Sequence, residues 1–326
     1  MIITRTPLRI SIGGGGTDLP SYYRRFGGAL VSSAIDKYVF IGINRTFTRN
    51  YQVKYSKYEQ VETIGEIRHP IVREALRLHA MEPALEIVSL ADIPAGTGLG
   101  SSGAFAVGLV RALHAMRRRH VTAEEVAREA CRIEMDILEQ PVGKQDQYIA
   151  SYGGLTCFEF LPDDTVKVSP LAIPDAAVSD LEENLLLFFT GYARDAAGLL
   201  REQEARTGGD DAAMIDNLHA IKDLGGRIKQ ALGRGDTAAF ARLMHAHWET
   251  KRKRSPAISN SAVDRWYDIG RDAGALGGKM VGAGGGGFLL FYAADRTRLR
   301  AAMAREGLSE VPFRFDHDGS MTIVRG

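Results

Sequence analysis

Residues 93–103 read Ile-Pro-Ala-Gly-Thr-Gly-Leu-Gly-Ser-Ser-Gly (IPAGTGLGSSG) and run directly into the apolar text AFAVGLVRALHAM of residues 104–116. Upstream, LEIVSL (85–90) has the composition of a strand. Strand, glycine-rich turn and helix start, in that order, make an anion site. The first amides of a helix lack intrahelical partners and carry the positive end of its macrodipole. The stretch contains GxGxxG (Gly98, Gly100, Gly103), but a dinucleotide site needs a tight turn and an acidic residue about twenty positions on. Here ADIPA separates strand from glycines, and residues 117–120 are Arg-Arg-Arg-His. A Walker loop fails for want of a lysine, and the protein-kinase strings HRD and DFG are absent. A glycine-rich turn with a helix start can still hold polyphosphate without a lysine. The amides of Gly96, Thr97, Gly98, Leu99, Gly100, Ser101, Ser102 and Gly103 are then the candidates, and one serine hydroxyl would suit a Mg²⁺ shell. The bland alternative is a flexible loop ending in a serine N-cap.

The rest of the chain sets limits on that reading. At 326 residues with 45% hydrophobic content, it is long enough for about two domains with real cores. Lys plus Arg number 41 against 40 Asp plus Glu, a balance that argues against a nucleic-acid partner. The one dense basic run, Lys251-Arg252-Lys253-Arg254, reads as a local patch at a helix end. Cys131 and Cys157 form no CxxC and read as reduced, buried thiols. The N-terminal text MIITRTPLRISIGG reads as a strand without the apolar core of a signal peptide, and LLLFF and FLLFY are too short to cross a bilayer. The expectation is a cytoplasmic protein without a membrane segment. Nothing in the sequence sets an oligomeric state.

Strand-like text dominates the first part: IITRTPLRISI, GALVSSAI, YVFIGINRTF, YQVKYS, LEIVSL and GGLTCF. Helices are expected over about 69–80, after the glycine loop, and from the capping box Thr122-Ala123-Glu124-Glu125 to about Leu138. A boundary is expected between Pro162 and Asp180. Beyond it come strand NLLLFFTG, helical text from about 194 to 273 broken at Gly208-Gly209 and Gly233-Arg234-Gly235, strands KMVG and FLLFY, a last helix and two terminal strands. The elements lack a strict βαβ rhythm, which favours a two-domain α+β protein divided as 1–175 and 176–326.

Several side chains stand out. Ala127, Cys131, Glu134 and Leu138 fall on one face of a helix, so a carboxylate interrupts an otherwise small and apolar stripe. Buried carboxylates pair with a cation or metal. Asp146, in GKQDQY after Pro141, sits in what reads as a polar loop, where it is either a turn former or a proton acceptor for a bound hydroxyl. The glycine tetrads Gly13–Gly16 and Gly284–Gly287 each follow a strand, and a tight turn needs only one or two glycines. Gly15, Gly16, Gly285 and Gly286 are therefore candidates for close approach to substrate, and Thr17-Asp18 for reading sugar hydroxyls. No HExxH or GxSxG occurs, which sets aside metal and serine hydrolases.

Three glycine-rich motifs in this order, with Asp146 between the second and third, resemble the GHMP small-molecule kinases. PLRIS through GGGTD, PAGTGLGSS and VGAGGGG are the matching segments. Within that family, RTPLRISIGGGGTDLP, AIDKYV, GKQDQY and GAGGGGF look like the branch acting on heptose 7-phosphate, with L-fucokinase domains as close neighbours. The resemblance implies a two-domain GHMP fold, strand-rich first and mixed second, with the active site between the domains. It implies ATP as donor, Mg²⁺ held by Ser102 and Glu134, Asp146 as base or orienter, Arg9 stabilising charge, and Asp18 binding sugar hydroxyls. The implied reaction phosphorylates the anomeric hydroxyl of the heptose 7-phosphate to the 1,7-bisphosphate, toward nucleotide-activated heptose for surface polysaccharide. Galactokinase carries acidic and histidine residues just before its Thr-Asp, where this chain has Gly15 and Gly16. A phosphorylated sugar needs a cationic seat, for which Arg5, Arg194 and the Lys251–Arg254 cluster are candidates. The rival expectations are a kinase of an unphosphorylated sugar and a non-catalytic sugar and ATP sensor.

Overall fold

The computed structural model describes residues 1–191 and 196–326, with the side chain of residue 196 also left aside. The chain opens with β1 (Ile2–Gly13), α1 (Pro20–Phe26) and the eighteen-residue β2 (Gly28–Arg45). β3 (Tyr51–Lys54), β4 (Tyr58–Val61), α2 (Pro70–Leu78) and β5 (Leu85–Ala91) follow. After the glycine loop come α3 (Ser101–Met116), α4 (Ala123–Cys131), α5 (Gln145–Tyr152), β6 (Leu155–Phe160) and β7 (Val166–Pro170).

β1 and β2 are the spine of an eight-stranded sheet, β2 bonding β6 through its first residues and β5 through its last. Nearly every residue of β1 is buried, so in LRISI even Arg9 and Ser11, which alternate with Leu8, Ile10 and Ile12, are out of solvent. The reason is a helix on each face. α3 packs on one side, where Thr4 donates to the carbonyl of Gly108 at 2.9 Å. On the other lies α8 (Ala212–Gly233), with Ile228 against Gly13.

The second half contributes α6 (Asp175–Asn184), β8 (Leu185–Phe189), α7 (Ala196–Gly208), α8, α9 (Thr237–Lys251), α10 (Ser261–Asp272), β9 (Gly277–Met280), β10 (Phe288–Tyr292), α11 (Arg296–Arg305), β11 (Ser309–Glu310) and β12 (Met321–Arg325). Strands β11-β8-β10-β9 form an antiparallel sheet whose core holds Phe188, Trp248, Tyr267 and Phe291. Offset and tilted pairs among these rings add about 0.5–1.5 kcal/mol each beyond the area they bury.

The helix breaks expected at Gly208-Gly209 and Gly233–Gly235 are where α7 and α8 end. The segment from Pro162 to Asp180 carries β7, paired with β6, and the start of α6. Two local expectations are corrected. Asp146 lies in the first turn of α5 rather than in a loop, because Gln-Asp-Gln-Tyr-Ile-Ala begins a helix whose far side is apolar. The helix from Thr122 begins with its capping box, Glu125 accepting the Thr122 amide at 2.7 Å, but leaves α geometry at Arg132. Residues 132–137 form a π-helical turn in which the Leu138 amide donates to the Ile133 carbonyl at 3.0 Å. The last strand, β12, returns to pair with β1 in the first sheet.

Candidate active site

A cleft of about 360 Å³ opens where the three glycine-rich segments meet α9 and β9. Gly96, Gly98 and Gly100 all have positive φ, and left-handed Gly100, not a serine, is the N-cap of α3. Leu99 is fully buried and anchors the loop, its carbonyl accepting the Arg9 amide at 3.0 Å. Thr97 is turned inward, its hydroxyl donating to Pro94 O at 3.0 Å. Ser101 and Ser102 line the cleft, and the buried Ser101 hydroxyl has no hydrogen-bond partner among the described residues. A polar atom left unpaired at a helix start, in a cleft, suits an anionic ligand. The third motif closes on this loop: a Cβ on Gly282 would stand 2.6 Å from the Gly98 carbonyl, so the two backbones meet only because both are glycine.

Two carboxylates flank the loop. Arg9 on β1 grips Asp146 through both oxygens, Nε to Oδ1 at 2.7 Å and Nη2 to Oδ2 at 2.9 Å. Its remaining nitrogen, Nη1, donates to Gly98 O at 2.6 Å. A bidentate fork fixes a carboxylate in plane as well as in place. Gly103 presses against the backbone of residue 146, joining the starts of α3 and α5. Glu134, on the π-helical turn, is wholly buried and accepts from Ser102 Oγ at 2.5 Å and Gln147 Nε2 at 2.7 Å. Burial pushes its carboxyl up to about 7, against those two hydrogen bonds, and the charge of Asp146 adds to the rise. No cation pairs with it among the described residues. A buried carboxylate beside a serine hydroxyl is an oxygen-only donor pair, the chemistry a hard divalent ion takes.

One more carboxylate and three cations border the same cleft. Asp18 accepts the amides of Gly16 and Gln145, each at 3.1 Å, and burial raises its carboxyl above the usual range. Gly15 and Gly16 line the cleft beside it, whereas Thr17 is structural, its hydroxyl donating to Gly14 O and Ala29 O. Lys251, Arg254 and Lys279 all line the same cleft and are all buried. Their partners are neutral: Lys251 Nζ donates to the carbonyls of Met280 and Gly282, and Lys279 Nζ to Ile12 O at 3.3 Å. Burial, with repulsion from Arg9 and Arg254, brings the Lys279 ammonium down to about 7. Burial likewise lowers Lys251, helped by Lys279, Arg254 and Arg9. Sequence reasoning missed Lys279 entirely. A lysine inside a strand just before a glycine run was the available signal.

Other expected residues lie elsewhere. Arg5 is outside the cleft, paired with Asp318 at 3.0 Å and Asp316 at 3.6 Å and stacked on Tyr38, because β1 carries it toward the C-terminal segment. Gly285 and Gly286 do not line the cleft, the Gly285 amide donating instead to Ile258 O at 2.8 Å, while Gly282 and Ala283 of the same motif do. Arg194 lies outside the described residues. A second cleft, about 520 Å³, opens beside Tyr23, Arg132 and Tyr148, but its lining has none of the glycine-rich segments. Both cysteines are free and buried, and no helix among the described residues is long and apolar enough to cross a membrane.

Comparison with known proteins bears on this architecture. Residues 67–154 match the GHMP kinases N-terminal domain, and residues 228–309 the GHMP kinases C-terminal domain. The chain is 31% identical to a D-glycero-alpha-D-manno-heptose 7-phosphate kinase from Campylobacter jejuni, over 98% of this chain and 97% of that one. It is 27% identical to an L-fucokinase/L-fucose-1-P guanylyltransferase from Bacteroides fragilis, covering 89% of this chain but 34% of that longer protein. Among solved structures, a D-glycero-D-manno-heptose 1-phosphate kinase from Bacteroides thetaiotaomicron superposes with a TM-score of 0.80 at 26% identity, over 100% of both chains. The loop, the clamped aspartate and the two-sheet architecture thus have one common source: the chain belongs to the GHMP kinase family.

Proposed function

We propose that this chain transfers the γ-phosphate of ATP to the C1 hydroxyl of D-glycero-D-manno-heptose 7-phosphate, giving the 1,7-bisphosphate for nucleotide-activated heptose and surface polysaccharide. The carrying observation is the Arg9 guanidinium, which holds both oxygens of Asp146 and the Gly98 carbonyl at once. One side chain thereby ties the acceptor's proton site to the donor's loop. Asp146 takes the hydroxyl proton or orients it, the oxygen bonds to the γ-phosphorus, and the bond to the β-phosphate oxygen breaks to release ADP. Little covalent help is needed, since positioning and fixed dipoles supply most of the acceleration. The amides of the Gly96–Ser102 segment and the start of α3 bind the phosphates, with Ser101 Oγ as a further donor. Ser102 and Glu134 would hold Mg²⁺, which when bound neutralises charge on the phosphates.

The choice of sugar rests on the relatives' names and on the buried cations of the acceptor wall. The division 1–175 and 176–326 belongs to the same proposal: the first part supplies loop, metal ligands and base, the second the cations and third motif, with β12 crossing back. So does a cytoplasmic location, where ATP is at hand. ADP release measured across heptose 7-phosphate, mannose, fucose and galactose tests the reading. Turnover is expected with heptose 7-phosphate at the highest kcat/KM. Preference for an unphosphorylated sugar overturns the substrate, and no ADP with any sugar overturns the kinase.

A further inference from the structure

Gly16 and Arg254 occupy one another's space. Gly16 has φ +97°, and a Cβ there would stand 2.6 Å from Arg254 Nη1 and 3.3 Å from Gln203 Oε1. The guanidinium therefore fills the room that a side chain at residue 16 would take. It is fixed there by neutral groups only. Nη1 donates to Gln203 Oε1 at 2.7 Å and Nε to Asn217 Oδ1 at 3.0 Å. Both amides are themselves tied down, Gln203 Nε2 to Gly16 O and Asn217 Nδ2 to Thr250 O, each at 2.7 Å. Nη2 is buried, lines no ion pair and has no partner among the described residues. The residue is 7% exposed, yet it borders the cleft. Its neighbour Asp18 has already spent its oxygens on the amides of Gly16 and Gln145.

A buried guanidinium oriented by amides, with the Asp18 charge nearby but no ion pair among the described residues, costs stability unless a further anion completes it. The other two cations are held by backbone carbonyls instead, Lys251 on Met280 O and on Gly282 O of the third motif and Lys279 on Ile12 O, and both feel the charges of Arg9 and Arg254. Arg254 stands with Gly16 and Asp18, on the acceptor side. Resting on the sugar-kinase reading of this cleft, we propose that Arg254, seated in the space left by Gly16, binds the phosphate the acceptor already carries and so selects a sugar phosphate over a free sugar.

The test compares wild type, Arg254→Met and Arg254→Lys. For wild type, kcat/KM with heptose 7-phosphate should exceed that with unphosphorylated heptose. In Arg254→Met that ratio should fall about 10- to 100-fold, the loss of one charge-assisted contact, with partial recovery in Arg254→Lys. A fall shared equally by both sugars, or a rise in KM for ATP with sugar preference intact, overturns the assignment. A second measurement does not depend on which sugar is the substrate. With a non-hydrolysable ATP analogue saturating the donor loop, inorganic phosphate should raise the Tm of wild type and not of Arg254→Met. An equal rise in both proteins overturns the seat, whether or not heptose is turned over. Failure of wild type to use any heptose, with the phosphate effect intact, overturns the substrate and leaves the seat.

Discussion

The first 175 residues give the site a carboxylate wall, Asp18 and Asp146 lining the cleft from a loop and a helix start and Glu134 buried behind Ser102. A cation wall, Lys251, Arg254 and Lys279, comes from the end of α9, the turn after it and β9. The two meet where Asp18 neighbours Arg254, yet the ion pair formed at the cleft among the described residues is that of Arg9 with Asp146. Neutralising the rest internally would be easy for the fold, and it would leave nothing for ligands to do. Instead each wall is held by backbone and amide groups that orient charge without cancelling it. Unpaired buried charge is costly in the free protein, and under the proposed function its relief on binding would make the cleft select a polyanion together with a divalent ion.

Asp146→Ala strikes the single pairing and should have the largest effect. The kcat is expected to fall about 10²- to 10⁴-fold, the range for losing an acid–base group, while nucleotide binding persists. Near-normal turnover would show that the aspartate wall takes no part in chemistry. Glu134→Gln removes the most deeply buried carboxylate while keeping its shape. The Mg²⁺ concentration for half-maximal rate should rise about tenfold or more, as for one charged ligand lost. An unchanged metal titration would reassign that residue to packing.

The cation wall gives a pH signature. Lys279 titrates near 7 in the fold against about 10.4 in an unfolded chain, so its charge is present below about pH 7 and lost above it. Affinity for phosphate ligands should therefore decline as pH rises from 7 to 9. In Lys279→Met that limb of the kcat/KM profile should flatten, and an unaltered profile would exclude Lys279 from the binding charge. Arg5→Ala marks the outer limit of the comparison. Its partly exposed ion pairs with Asp316 and Asp318 are worth at most about 1 kcal/mol. A small fall in Tm with kcat and KM unchanged is expected, and a large rise in KM for the sugar would return Arg5 to the site.

The carboxylate wall was legible in the sequence because its members sit inside short motifs. Ser102 follows the glycine run, Asp146 sits in GKQDQY, and Glu134 interrupts an apolar stripe. Backbone chemistry local to each residue announces its place. The cation wall was not legible in the same way. Lys251-Arg252-Lys253-Arg254 reads as a solvated patch, and only in part is it one: Lys253 is exposed and Arg252 half-buried. Lys251 and Arg254 are buried where β9, α7 and α8 bring Met280, Gln203 and Asn217 to them, and those partners lie 29–51 positions away. Long-range packing decides burial there, and composition is silent about it. Arg5 failed for the same reason in reverse, since Asp316 and Asp318 arrive from the far end of the chain.

Glu134 reaches the cleft from a turn that holds one residue more than an α-helical turn would between hydrogen-bond partners. The information in that segment therefore lies partly in its length. Dropping one residue from 132–137 would let the helix resume its ordinary winding, and the residues between the deletion and the start of the turn's bond pattern would change face. Substitutions along the segment change what the turn carries, whereas a single-codon deletion changes where it points. A related protein one residue shorter just before Glu134 would turn that carboxylate to another face and have none to offer beside Ser102.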